Sequence, residues 1–293
     1  MARIGIVGSG VVGYIIGRGF EKIGNDVIFY DTDKKRVKKL KDERLKATTD
    51  IRDLVNSTDI AFISVPTPTK KGKIDLSYIK DACKNLAKAL KEIKRYYLVV
   101  IKSTVIPLTT EKVVIPILEK YSRKKVGKDF GVCVNPEFLT EIARSWTNDA
   151  LFKRDFFSED RIVIGEFDRK SGEVLKKIYK PLKIPVFNVD LKTAEMIKYA
   201  SNCMLATKIS YWNEIFLICK ELGINSKIVA DIAALDPRIG KYGSVHGLAF
   251  GGKCLEKDLF AFIQFVKKYH YPELLEAVLK INLHMAKKYG VRE

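Results

Sequence analysis

The sequence has 293 residues, 53 Lys and Arg against 35 Asp and Glu, and a formal net charge of +18. With 47% apolar and 30% charged residues it is neither disordered nor fibrous, and its length allows two domains with separate cores. No run of about 18 apolar residues occurs, so no membrane span is expected.

Residues 3–7 form a short apolar run that predicts a buried strand, and Val11 to Ile23 predicts a helix after it. Between them lies Gly8-Ser9-Gly10-Val11-Val12-Gly13, a G-x-G-x-x-G pattern in the strand-to-helix context that dinucleotide binding requires. The first glycine permits the turn, the second lets a pyrophosphate reach the backbone, and the third lets helix and strand pack closely. Asp26 to Tyr30 predicts the next strand, and Asp31 ends it. A carboxylate there accepts from ribose hydroxyls and repels a 2′-phosphate, which favours NAD over NADP.

Further apolar runs predict strands at Asp59 to Val65, Tyr97 to Ile101, Gly131 to Val134, Arg161 to Gly165 and Val186 to Val189. Helices are expected at Leu76 to Ile93 and Thr109 to Tyr121. This alternation predicts an α/β fold with a doubly wound, mainly parallel Rossmann-type sheet over residues 1–190. From 191 to 293 the chain reads as an all-helical domain. Thr193 to Leu222 lacks proline and glycine, predicting a spine helix of about 45 Å. Gly223 should end it. Helices follow at Ser226 to Ala234, Leu255 to Lys268 and Pro272 to Lys288. The long helix predicts a homodimer contact over residues 193–222.

Lysines cluster at Lys34 to Lys41, Lys70 to Lys73 and Lys120 to Lys128, with no aromatic-interleaved basic strip of the kind that grips single strands. That pattern reads as a solvated basic surface, not a nucleic-acid or membrane site, although its field would favour an anionic nucleotide-bearing substrate. Cys83, Cys133, Cys203 and Cys219 lie in apolar segments and should be buried and reduced, which implies a cytoplasmic chain. The start faintly mimics a signal peptide, but glycines interrupt it and no cleavage site follows. Cys254 differs from the other cysteines. It lies in Phe250-Gly251-Gly252-Lys253-Cys254-Leu255-Glu256-Lys257-Asp258, a glycine pair before the thiol and a carboxylate four residues after it. A redox cofactor together with such a thiol suggests oxidation of a carbonyl through a thioester. Nearby cations or the start of a helix at Leu255 would make the thiol more nucleophilic.

Six ordered blocks carry a resemblance. They are Ser64-Val65-Pro66-Thr67-Pro68-Thr69, Lys102-Ser103-Thr104-Val105, Asn135-Pro136-Glu137-Phe138-Leu139, Glu195 to Asn202, Asp236-Pro237-Arg238-Ile239-Gly240 and Phe250 to Asp258. In order and spacing they resemble the UDP-glucose/GDP-mannose dehydrogenase family over essentially the whole chain. The resemblance implies NAD-dependent four-electron oxidation of a nucleotide sugar to a carboxylate in two steps. Cys254 then resembles the nucleophile, and Lys198 and Asn202 the pair that holds the reacting oxygen. Asp258 and Thr104 resemble groups that position water, and Glu137, supported by Glu141, the carboxylate of thioester hydrolysis. Arg238, Phe138, Leu139, Phe250 and Gly251 resemble substrate contacts. Arg36, Val65, Pro66, Thr67, Thr69, Ser103, Thr104 and Lys257 resemble further cofactor contacts beside Gly8, Gly10, Val11, Val12, Gly13 and Asp31. No metal is implied.

Glu256 stands where the family usually has proline, and His246-Gly247-Leu248-Ala249 where Pro-Gly is frequent. The Ala-Phe-Gly-Gly-x-Cys form resembles the GDP-mannose branch, whereas Val65 to Pro68 and Asp236 to Gly240 resemble the UDP-glucose branch. UDP-glucose to UDP-glucuronate is the first expectation, with GDP-mannose and UDP-N-acetylmannosamine as alternatives. Family members usually continue into a second Rossmann-like domain that binds the nucleotide end of the substrate. The sequence reaches Glu293 without one, so the expectation is a truncated chain or a separate C-terminal partner. A dimeric NAD-binding module with little turnover is the rival reading.

Overall fold

A computed structural model describes residues 1–70, 72–140, 146–147 and 154–292. Glu141 lies outside the described residues. Two compact units emerge, each built from separate stretches of chain. The first comprises Met1–Pro68, Asp75–Leu139 and Asp155–Lys198. The second comprises Thr69–Ile74, Thr140–Arg154 and Tyr199–Glu293, so far as these are described.

The first unit is an eight-stranded sheet. Its strands are β1 (Arg3–Val7), β2 (Asp26–Tyr30), β3 (Ala47–Thr48), β4 (Ile60–Ile63), β7 (Tyr97–Ile101), β8 (Phe130–Val134), β9 (Ile162–Glu166) and β10 (Val186–Asp190). The order is β10-β9-β8-β7-β4-β1-β2-β3. Every pairing is parallel except β8 with β9, where Cys133 faces Glu166 and Val134 faces Gly165 in antiparallel register. The mainly parallel sheet agrees with the sequence expectation.

Helices cover both faces. These are α1 (Val11–Lys22), α2 (Lys34–Asp42), α3 (Ile51–Ser57), α4 (Ser77–Leu90), α5 (Ile115–Ser122) and α6 (Arg169–Tyr179). Leu54, Ile79, Leu86 and Leu118 join one core, while Ile16, Phe20, Leu175 and Ile178 join the other. Burial on both faces explains why all five residues of β7 are buried and why that strand reads as an unbroken apolar run. A side chain such as Phe20, fully buried against Phe62 and Phe156, stabilises the fold by about 1.5–3 kcal/mol.

Three helices of this unit do not follow from the sequence expectation. α2 hides Val37 and Leu40 among lysines behind its cap Asp33, whose side chain accepts from the Lys35 amide at 2.8 Å. α3 is similarly capped by Asp50. α6 begins in a capping box formed by Asp168 and Ser171.

α7 (Leu191–Glu221) is one helix of 31 residues, and Gly223, with φ of +68°, follows its end. Beyond it the second unit holds α8 (Ser226–Ala233), α9 (Lys257–Val266) and α10 (Glu273–Tyr289). It also holds the antiparallel pair β5 (Thr69–Lys70) and β6 (Lys73–Ile74), and the parallel pair β11 (Ala249–Phe250) and β12 (Val291–Arg292). The helix expected to start at Leu255 is preceded by a π-helical turn, Gly252–Glu256, so Cys254 sits inside helical backbone and not ahead of it. No proline interrupts Gly252 to Lys257, so helical bonding extends backward to the glycine. No helix among the described residues is long and apolar enough to cross a membrane.

Candidate active site

The first unit gathers its candidate residues at the carboxyl ends of β1, β4, β7 and β8. Strand order reverses between β1 and β4, the switch point where open α/β sheets take ligands. Gly8 has φ of +93°, and a Cβ there would lie 2.7 Å from the Ser64 carbonyl oxygen. A Cβ at Gly13 would lie 2.0 Å from the Gly8 oxygen, whereas one at Gly10 would meet nothing within 4 Å. The tight turn, the close helix packing and the open approach thus fall on the three glycines in that order.

Gly10 caps α1 without a side-chain hydrogen bond, and Val11 is exposed, so backbone amides at the head of α1 remain for an anion. Asp31 accepts from the Ser9 amide at 2.9 Å and the Asp33 amide at 3.0 Å, which fixes its carboxylate beside the glycine turn. This donor set and the side-chain-free approach over Gly10 fit the pyrophosphate and ribose of a dinucleotide. Arg36 lies exposed on α2. The loops after β4 and β7 are tied together, with Thr67 donating to the Thr104 carbonyl at 2.9 Å and Ser103 to the Val65 carbonyl at 2.7 Å. Pro66 is exposed beside them.

Past the end of β8, Glu137 is 9% exposed and pairs with Lys198 of α7, 6% exposed. Lys198 Nζ lies 3.1 Å from Glu137 Oε1 and donates to the Glu137 carbonyl at 2.6 Å. The other carboxylate oxygen accepts from the Leu139 amide at 2.8 Å. Burial pushes the Glu137 carboxyl up, but Lys198, Lys102 and the Leu139 amide together outweigh it and hold the group below the ordinary glutamate value. Phe138 stacks under two cations, 4.0 Å from Arg161 Cζ and 5.4 Å from Lys198 Nζ.

Three residues that open the resembling blocks, but carry no role in the resemblance, stand here as well. Lys102, 2% exposed, donates to Asn135 Oδ1 at 2.9 Å and to the Pro136 carbonyl at 3.5 Å. Asn135 is held in turn by the Tyr179 hydroxyl at 2.5 Å and donates to the Val163 carbonyl at 2.8 Å. Glu195, one turn before Lys198 on α7, accepts from the Leu108 amide, the Thr110 amide and the Thr110 hydroxyl at 2.7, 2.8 and 2.7 Å. The available signal was position. Lys102 directly follows five buried strand residues, where a lysine has no short route to water.

In the second unit Asn202 donates to Asp258 Oδ2 at 2.7 Å, and Lys257 Nζ lies 2.5 Å from Asp258 Oδ1. Asp258 is 2% exposed, so both its oxygens have found partners in the interior. Thr69 donates to the Lys257 carbonyl at 3.3 Å. Cys254 is exposed, whereas Cys83, Cys133, Cys203 and Cys219 are buried as expected. Burial alone pushes the Cys83 thiol up to about 12, which leaves it unreactive at neutral pH.

The turn that carries Cys254 is anchored from behind. Asn282 of α10 accepts from the Phe250 amide at 2.8 Å and donates to the Phe250 carbonyl at 2.9 Å. Phe250 itself is 1% exposed, so its place is that of an anchor in the core. A Cβ on Gly251 would lie 2.3 Å from Val291 Cγ1 of β12, so only glycine allows that strand to lie against the turn. Asn282 interrupts the buried stripe Val278, Leu279, Met285 of α10, the one mark by which sequence could have found it. Arg238 is exposed and paired with Asp236 at 2.6 Å within its own loop.

Comparison with known proteins agrees with this geometry. Residues 40–183 match the NAD binding domain of the UDP-glucose/GDP-mannose dehydrogenase family, and residues 192–284 match its central domain. The chain is 37% identical to UDP-glucose 6-dehydrogenase TuaD of Bacillus subtilis over 96% of its length, and spans 63% of that relative's length. It is likewise 37% identical to a GDP-mannose 6-dehydrogenase of Pseudomonas syringae, over 88% of its own length and 63% of that protein. A UDP-glucose dehydrogenase structure from Pyrobaculum islandicum superposes with a TM-score of 0.89 at 35% identity, covering 98% of this chain and 69% of that one. With both family domains matched in order and the NAD-binding glycines in place, the chain belongs to the UDP-glucose/GDP-mannose dehydrogenase family.

Proposed function

We propose that this chain carries the NAD-dependent oxidation of a nucleotide sugar from primary alcohol to carboxylate, with UDP-glucose as the first substrate to test and GDP-mannose and UDP-N-acetylmannosamine as alternatives. The observation that carries the reading is the contrast among the cysteines: four are buried, and the exposed one, Cys254, lies on a turn anchored through Phe250. Bound NAD supplies the hydride acceptor for each of the two oxidations.

The protein's own groups divide the remaining work. Lys198 and Asn202 are one helical turn apart on α7, a spacing at which both can hold one substrate oxygen. The hydroxyl gives its proton to a water, the Lys198 ammonium stabilises the alkoxide that develops, and the carbon loses its first hydride to become the aldehyde. The Cys254 thiolate adds to the aldehyde carbon, the carbonyl oxygen becomes the hemithioacetal oxyanion, and loss of hydride from that carbon leaves a thioester. Glu137, ionised, takes a proton from the water that attacks the thioester, and the Cys254 thiolate leaves as the carboxylate forms. Asp258 and Thr104 position that water. Val65, Pro66, Thr67, Ser103 and Thr104 line the cofactor's path from the glycine turn, with Arg36, Thr69 and Lys257 as further contacts, and Phe138, Leu139, Gly251 and Arg238 as substrate contacts.

Pairing of two chains through α7 belongs to the same proposal. Met204, Tyr211, Ile218 and Leu222 are spaced seven, seven and four apart and are 59%, 53%, 50% and 66% exposed, an apolar stripe of the kind that helices bury against each other. A sedimentation-equilibrium mass of two chains, reduced to one by Met204→Glu with Ile218→Glu, is expected. A single-chain mass in the wild type contradicts the pairing.

The test of the chemistry is the covalent intermediate. Mixing the Glu137→Gln variant with NAD and UDP-glucose, then quenching in acid, should leave a sugar-acyl mass on the peptide containing Cys254. Absence of that adduct, with acid released at the wild-type rate, contradicts the assignment.

A further inference from the structure

We propose that Lys102 is the fixed counter-charge of the Glu137 site, a positioning residue that keeps Glu137 ionised and oriented while Lys198 is engaged with substrate. This rests on the reading of Glu137 and Lys198 given above and adds to it a residue with no assigned role.

Three observations carry the inference. Lys102 is more deeply buried than Glu137 or Lys198, and among the described residues its hydrogen bonds go to neutral amide oxygens, those of Asn135 and Pro136. Among the described residues no carboxylate pairs with it directly, so its positive charge is left to act on Glu159 and Glu137. Second, Lys102 is held in place. It directly follows β7, and Asn135, which receives its proton, is clamped by Tyr179 and Val163. Third, the Pro136 carbonyl it binds is adjacent in the chain to Glu137, so the same ammonium fixes the turn from which the Glu137 side chain departs.

Lys198 differs on each point. Its ammonium spends its hydrogen bonds on Glu137 itself, and in the proposed reaction it must also meet the substrate oxygen. If Lys198 were the only cation, Glu137 would lose its partner at the step that needs it ionised. The groups that face Glu137 are Lys198 from α7, Lys102 from the end of β7, the Leu139 amide, and Glu159 from the segment before β9. Burial holds the Lys102 ammonium below the usual lysine value, with Glu159 and Glu137 opposing that fall in part and Lys198 adding to it. Burial also raises the Glu159 carboxyl, against the pull of Lys102. Among the described residues, Lys102 thus acts on both Glu159 and Glu137, and Glu137 has in addition its direct contact with Lys198.

The test separates this inference from the assigned reaction. Glu137 is followed by 13C NMR in carboxyl-labelled protein, its resonance identified by its loss in Glu137→Gln, across pH in wild type, Lys198→Met, Lys102→Gln, Lys102→Met and Lys102→Arg. The glutamine variant retains donors for Asn135 and Pro136 and serves if the methionine variant fails to fold. The titration midpoint of Glu137 should rise by about one pH unit or more when Lys102 becomes neutral and return in Lys102→Arg. In Lys198→Met the carboxyl should remain ionised at neutral pH. A midpoint unchanged in Lys102→Gln, or a carboxyl that becomes neutral at pH 7 in Lys198→Met, overturns the inference. These readings need no turnover. Where turnover is present, the acid limb of thioester hydrolysis should move up with the Glu137 midpoint while the rate of thioester formation stays within about twofold. An equal loss in both steps also overturns it.

Discussion

The charged centre of the sheet unit and the thiol turn of the helical unit solve opposite problems. Around Glu137, charge is taken out of water: Glu137, Lys198 and Lys102 are each less than one-tenth exposed, Lys198 pairs with Glu137 directly, and Lys102 is held by Asn135 and the Pro136 carbonyl. Around Cys254, the proposed nucleophile, the residue is exposed, and neutral groups hold the turn behind it, the Asn282 amide and the β11–β12 pairing. A base that must stay ionised in a dry site needs matched cations. A nucleophile that must reach substrate needs an open face and a stiff support. The two regions should therefore respond differently to substitution, the first through stability and charge together, the second through stability at its support and reactivity at Cys254.

The largest effect is expected at Lys198. Removing one member of a buried pair leaves a carboxylate with less compensation, so Lys198→Met should destabilise by about 3–5 kcal/mol, towards the lower end because Lys102 remains. Urea unfolding measures this, and a loss below about 1 kcal/mol would show that the pair is more hydrated than its burial indicates. Next is Asn282→Ala, which strands the buried N–H and C=O of Phe250 at about 1.5 kcal/mol each, towards the low end for an unpaired buried group. It should also alter the rate at which iodoacetamide labels Cys254. Unchanged labelling and unchanged stability would remove Asn282 as the support of that turn.

A third prediction concerns pH. Burial pushes the Glu195 carboxyl up to about 7, against the pull of its three hydrogen bonds. With the folded value above the unfolded one, the unfolded state releases its proton first as pH rises. The contribution of Glu195 is then fully present below about pH 4.5 and lost as pH rises through about 7, by up to about 3 kcal/mol. The difference in unfolding free energy between wild type and Glu195→Gln should follow that slope, and a flat difference would contradict it. The smallest stability effect belongs to Cys254→Ser. Its side chain is exposed, so unfolding should change by less than about 0.5 kcal/mol while acid formation is lost.

Sequence revealed the strands because parallel strands buried on both faces must be apolar throughout, as Ile60–Ile63 and Tyr97–Ile101 are. The glycine turn was legible because Gly8 and Gly13 admit no Cβ. α2 was not, since only Val37 and Leu40 face inward and lysines fill the rest. The buried places of Lys102 and Asn282 were not legible for a related reason. Polar residues read as solvent-facing unless a partner is known, and their partners, Asn135 and the Phe250 backbone, are 33 and 32 residues away in sequence. The π-helical turn at Cys254 is set by hydrogen bonding that no periodicity encodes. The clustering of Thr69–Ile74 with the helical unit depends likewise on distant contacts, such as Thr69 with Lys257.

The most direct test of the account is anaerobic NADH formation from NAD and UDP-glucose, counted per sugar consumed, in wild type beside Cys254→Ser. The account predicts two NADH per sugar in wild type and loss of the acid product in the variant. One NADH per sugar with aldehyde released, or two at the wild-type rate in the variant, would contradict it.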